Sequence, residues 1–97
     1  MSFVEALRTW SAAERSSDVT IRFEESPIEQ PKRSAWVVLE RLAAIGQLTI
    51  WSTGECDAMA ETVGGETLAN RTRTLDTPAE VAVEADALLA LVYRSSG

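Results

Sequence analysis

Glu55, Cys56 and Asp57 form one run, and by type they are the residues of this chain best suited to chemistry. On an extended strand, side chains two apart share a face. Glu55 and Asp57 therefore project together, and Cys56 projects to the other side. Two carboxylates on one face can serve as acid and base, or hold a hard cation. A cysteine becomes a nucleophile once a neighbouring base draws its proton. The chain contains no histidine, which removes the commonest general base, the usual triads and most zinc sites. The alternative is a solvated acidic strand face with a small, half-buried cysteine on its reverse, and the rest of the chain favours it. Gly64-Gly65 lacks the Gly-Lys-Ser/Thr ending and following helix of a phosphate loop, and reads as a hairpin turn. No catalytic residue, metal or cofactor is expected.

Binding is the better prospect. Of the three tryptophans, Trp10 lies on a helical apolar stripe and belongs to the core. Trp36 is also expected in the core. Trp51 has two readings: an exposed aromatic anchor for a partner, or a cross-strand cover for the sheet. Acidic residues outnumber basic ones 15 to 9, for a net charge of −6. Such a chain repels phosphate backbones, so nucleic acid is not an expected ligand. The same charge keeps a protein in solution and steers it toward a basic partner. Arg22, Arg41, Arg71 and Arg73 fall on strands among these acids, and most of them read as cross-strand ion pairs of small value.

The elements that must position these residues follow from periodicity. A length of 97 residues suits one domain, 1–97. Residues 2–15 read as a helix: Ser2 and Glu5 have capping-box spacing, and Phe3, Val4, Leu7 and Trp10 make one stripe. Polar Ser16, Ser17 and Asp18 end it. Residues 19–24 alternate as a half-buried strand, with Val19, Ile21 and Phe23 on one face. The proline-bearing stretch EESPIEQPKRS is a loop. A strand over 35–42 and another over 47–52 are joined through Ala44, Ile45 and Gly46. Residues 55–63 and 66–74 flank the Gly64-Gly65 turn. Thr77-Pro78-Ala79-Glu80 opens a second helix, whose stripe Val81, Ala85, Leu88, Leu89, Val92 runs to about Tyr93, before a fraying tail.

The order α-β-β-β-β-β-α, with short links between the middle strands, predicts an α+β fold. Its sheet is five-stranded and mostly antiparallel, and both terminal helices pack on one face. The opposite face is left open to water or to a partner. No stretch approaches the ~20 apolar residues of a membrane helix, and MSFVEALRTW lacks a signal-peptide core. A single cysteine excludes an intramolecular disulfide. The expected location is the cytoplasm, with no membrane partner.

From Trp36 to Asp57 the chain reads Trp-Val-Val-Leu-Glu, then Ile-Gly-Gln-Leu-Thr-Ile-Trp, then Ser-Thr-Gly-Glu-Cys-Asp. This pattern, with the Gly64-Gly65-Glu66 turn, resembles the TriTu group of bacterial immunity proteins, although Ser52 stands where that pattern commonly has an acid. The resemblance implies a small α+β, non-enzymatic protein that binds and neutralises a cognate toxin domain. It further implies an ADP-ribosyltransferase toxin with a basic NAD-binding cleft, delivered by contact-dependent secretion and acting on elongation factor Tu. Glu40, Trp51, Glu55 and Asp57 are the expected partner-binding residues. The alternatives are a structural or adaptor module, such as a homodimer pairing open faces or edge strands, and a hydrolase built on Glu55 and Asp57.

Overall fold

The computed structural model describes residues 1–13, 18–27 and 31–95. Residues 14–15 of the expected first helix, Ser16-Ser17, residues 28–30 of the proline-bearing loop and residues 96–97 of the tail lie outside the described residues. The element order is α1 (Phe3–Ala13), β1 (Thr20–Glu25), β2 (Ser34–Arg41), β3 (Ala44–Trp51), β4 (Glu55–Thr62), β5 (Thr67–Thr74) and α2 (Ala79–Ser95). The α+β architecture is as the periodicity predicts. The five strands form one antiparallel sheet in the order β1-β2-β3-β4-β5, so β1 takes an edge beside β2.

The α1 capping box is formed. Ser2 Oγ accepts the Glu5 N–H at 3.1 Å, and the Glu5 carboxylate accepts the Ser2 N–H at 3.3 Å. Val4, Ala6, Leu7 and Trp10 are buried, as the stripe requires. At the start of α2, Glu80 Oε2 accepts the backbone N–H of Asp76 at 2.7 Å and of Thr77 at 3.5 Å. The carboxylate half of that box is thus in place and suits the positive end of the helix dipole. Val81, Ala85, Leu88 and Val92 face inward. Helix α1 lies over β1, β2 and β3, and α2 over β2, β3 and β4. Trp10 Nε1 donates to Asp86 Oδ1 at 2.8 Å, joining the two helices.

The core occupies the gap between helices and sheet. Ala35, Val37 and Leu39 of β2, Ala44, Leu48 and Ile50 of β3, and Cys56, Ala58 and Ala60 of β4 supply its floor. Fully burying a side chain such as Leu48 or Val92 contributes about 1.5–3 kcal/mol, so this alternation decides which way the sheet faces.

One connection differs from expectation. The β2–β3 turn is made by Leu42 and Ala43, not by Ala44 to Gly46, and β3 begins at Ala44. Leu42 adopts a φ of 48°, the left-handed region that a tight hairpin turn demands and that Asn or Gly ordinarily fills. Gly46 therefore lies inside the strand, and its role is close approach. A Cβ there would meet Val92 Cγ2 at 2.9 Å and Leu88 Cγ at 3.3 Å. Its bare Cα lets α2 settle against β3. Gly54 does mark a turn: its φ is 93°, and a Cβ would lie 2.8 Å from the Leu75 carbonyl oxygen.

Candidate functional site

The helix-free face of the sheet carries Arg22 and Glu24 of β1, Trp36, Val38 and Glu40 of β2, and Ile45, Gln47, Thr49 and Trp51 of β3. Glu55, Asp57, Met59 and Glu61 of β4 complete its centre. The register fixes them in rows: Glu24–Trp36–Thr49–Asp57–Thr72, Arg22–Val38–Gln47–Met59–Asn70, and Thr20–Glu40–Ile45–Glu61–Thr67.

All four residues expected to bind a partner fall on this face, at two separate ends. Trp51 pairs with Ser34 at the start of β2, whereas Glu40 lies six residues further along that strand, roughly 20 Å away at ~3.3 Å per residue. Trp51, Glu55 and Asp57 form one cluster. Lys32, from the β1–β2 loop, places its Nζ 5.7 Å from the centroid of the Trp51 ring and 2.6 Å from Glu55 Oε1. Thr53 Oγ1 donates to the same Glu55 oxygen at 2.9 Å. The Lys32 hydrogen bond first, and Thr53 second, hold the Glu55 carboxyl below its ordinary titration range. Asp57 accepts a hydrogen bond from Thr72 Oγ1 at 2.8 Å.

Glu55 and Asp57 thus share a face, as their spacing requires, but each is engaged by its own donors and neither is poised as a base for the other. Among the described residues no cluster of three His, Cys, Asp or Glu could hold a metal ion. Cys56, between them in sequence, is buried beneath the helices. Burial above all, with the nearby Glu84 and Asp57 charges, pushes its thiol up to about 11. A neutral thiol without access to solvent is neither nucleophile nor ligand.

Trp36 corrects an expectation. It lies on the open face, half-buried, and its Nε1 donates to Glu24 Oε2 at 3.0 Å across the β1–β2 ladder. The run Ala35-Trp36-Val37-Val38-Leu39 is apolar at every position, so alternation gave no sign of which parity faced the core. Val38 is buried on the same open face, so this surface is not wholly solvated.

Arg71 and Arg73 are corrected as well. They project to the helix side of β5 and both bind Glu84 of α2, Arg71 Nη2 at 2.6 Å from Glu84 Oε2 and Arg73 Nη1 against Glu84 Oε1. Glu84 is only 4% exposed. Arg41 lies on the helix side too, with its guanidinium 4.3 Å from the centroid of the Tyr93 ring. Only Arg22, among the described strand residues, is a cation on the open face. The signal for Glu84 was available: it sits three after Val81 and four before Leu88, inside the apolar stripe of α2.

The family model described as "Immunity protein TriTu" matches residues 5–91. That span takes in all five strands, most of both helices and every residue of the open face. Among curated proteins none matches the chain.

Proposed function

We propose that this chain, which belongs to the TriTu family of immunity proteins, protects a cell by binding a cognate toxin domain through its open sheet face and occluding it. Toxin neutralisation is what the family's function implies, and families of this kind are typically non-catalytic. The observation that carries the choice of surface is the asymmetry of the sheet. One face is filled by two helices, and the other presents Trp36, Trp51, Ile45 and Met59 among five carboxylates and one arginine. Aromatic and apolar centres with polar margins are what protein interfaces use.

Occlusion is also the mode the chemistry favours. Glu55, Asp57 and Cys56 are the groups that could react, and each is hydrogen-bonded or buried. In this reading the toxin is an ADP-ribosyltransferase that modifies elongation factor Tu and is delivered by contact-dependent secretion, and protection takes place in the cytoplasm. Its cleft must bind the pyrophosphate of NAD and is therefore basic. An acidic inhibitor accelerates its own encounter with such a cleft, and the attraction falls as salt rises. Glu40, Trp51, Glu55 and Asp57 are the contact residues in this scheme.

Co-expression tests it. Cells carrying the toxin domain encoded beside this chain should survive when the chain is present, and the two proteins should co-purify. Death of cells that hold folded immunity protein, with no complex recovered, would refute the assignment.

A further inference from the structure

We infer that the toxin contact is centred on the paired hairpin end of the sheet, around Leu42, Ile45, Met59 and Val63. The Trp51 corner is the periphery of that contact. The inference rests on the immunity reading above and specifies which part of the face does the binding.

Four observations support it. The β2–β3 turn and the β4–β5 turn abut, because the Val63 N–H donates to the Ala43 carbonyl at 2.9 Å. This brings exposed apolar side chains from both hairpins to one end: Leu42 at 80%, Val63 at 81%, Met59 at 51% and Ile45 at 38%. A shallow cleft of about 100 Å³ lies beside Ile45 and Met59, lined also by Gln47 and Glu61. Exposed apolar residues grouped in this way mark interaction surfaces, whereas scattered ones do not.

The carboxylates at the two ends differ in how they are engaged. At the Trp51 end Glu55 is bound to Lys32, Asp57 to Thr72 and Glu24 to Trp36. At the hairpin end Glu40 and Glu61 flank Ile45 in the register, and Glu66 follows Gly65 in the turn. None of these three carboxylates makes an ion pair among the described residues. Three carboxylates without an ion pair among the described residues thus border the apolar cluster. The complementary occupant is a protein surface with an apolar centre ringed by Lys or Arg. A second copy of this chain would bring like charges together across a two-fold axis, which opposes self-association.

Leu42 itself breaks a local rule. A leucine held at φ 48° and exposed to water serves neither the turn nor the core. Departures of this sort concentrate at functional sites.

The geometry of Leu42 also gives a test that loss of folding does not confound. Leu42→Asn suits the left-handed conformation better, so its melting temperature should equal or exceed that of the parent. Its affinity for the purified toxin domain should nevertheless fall at least tenfold by calorimetry. Met59→Lys should fall at least as far, since it removes an apolar contact and sets a cation against basic groups. Glu40→Gln/Glu61→Gln should slow association at low salt and flatten the salt dependence. Val83→Thr, on the outer side of α2 and 67% exposed, should leave affinity unchanged. A parent chain that does not bind the toxin would refute the immunity reading and this inference together. A parent that binds, with Leu42→Asn and Met59→Lys binding equally well, would refute the inference alone. So would light scattering that shows a dimer abolished by Leu42→Asn, since the patch would then serve self-association.

Discussion

Removing both cations from Glu84 should cost far more than removing Glu84 itself. The carboxylate is 4% exposed, while the side chains of Arg71 and Arg73 are 50% and 55% exposed. Arg71→Ala/Arg73→Ala leaves a carboxylate in a place that water barely reaches and that no other described cation is bonded to. Stranding a buried charge in this way costs about 3–5 kcal/mol. A domain of this size has a total stability of ~5–15 kcal/mol, so a fifth or more of it would be lost. At ~4–8 °C per kcal/mol, the melting temperature should drop by at least about 12 °C. Glu84→Met removes the buried charge instead, and both guanidinium groups can turn to water from positions already half in it. Its cost should stay within about 1 kcal/mol. Urea unfolding followed by tryptophan fluorescence would compare the two, because the strands and helices carry all three indoles. Equal destabilisation in both variants would refute the argument and would mean that β5 is held to α2 by apolar packing. Glu84→Met should also keep its toxin affinity, since the cluster lies on the helix side of the sheet.

Gly46→Ala should destabilise by about 1–3 kcal/mol through overpacking, because its Cβ would press on Val92 Cγ2 at 2.9 Å; denaturant melts with an unchanged slope would record this. Cys56 should resist an aromatic disulfide reagent in the native protein at pH 8 and react fully in urea. Its pH dependence has a definite sign: the unfolded thiol ionises near 9.0 and the folded one near 11, so the unfolded state loses its proton first. The Cys56 contribution to stability should be flat below about pH 9 and decline between the two values, and Cys56→Ala should lack that decline.

Most of the fold was legible because each element carried its own signal. Ser2 with Glu5 announced the start of α1, Thr77-Pro78 that of α2, and Val19-Ile21-Phe23 and Leu48-Ile50 gave the inward faces of their strands. What stayed hidden had two physical causes. Where both faces of a strand are apolar, as from Ala35 to Leu39, alternation carries no information. The sequence therefore points Trp36 to the core although it faces outward, and points to Gly46 as the turn although it lies inside β3. Pairing between charges is the second cause. The acids of the open face look alike in the sequence, and only the folded chain shows that Glu55 has Lys32 and Thr53 beside it while Glu40 and Glu61 make no ion pair among the described residues. Arg71 and Arg73 misled for the same reason, since strand parity was unknown at β5 and their partner lies on a helix.

This separation of faces has a consequence for how such a protein could change its partner. The residues that hold the fold point toward the helices: Leu39, Leu48, Ile50, Val81 and Val92 are fully buried there. Leu42, Met59 and Val63 of the hairpin end are instead exposed. Substitutions at Leu42, Met59 or Val63 alter exposed side chains and should move stability by no more than about 0.5 kcal/mol, while any of them can change an interface by a factor of ten or more. At Leu42 the two effects even oppose each other: residues that relax the turn are those that withdraw an apolar contact. An exposed leucine retained in a strained turn is then intelligible as a small loss of stability that an interface offsets.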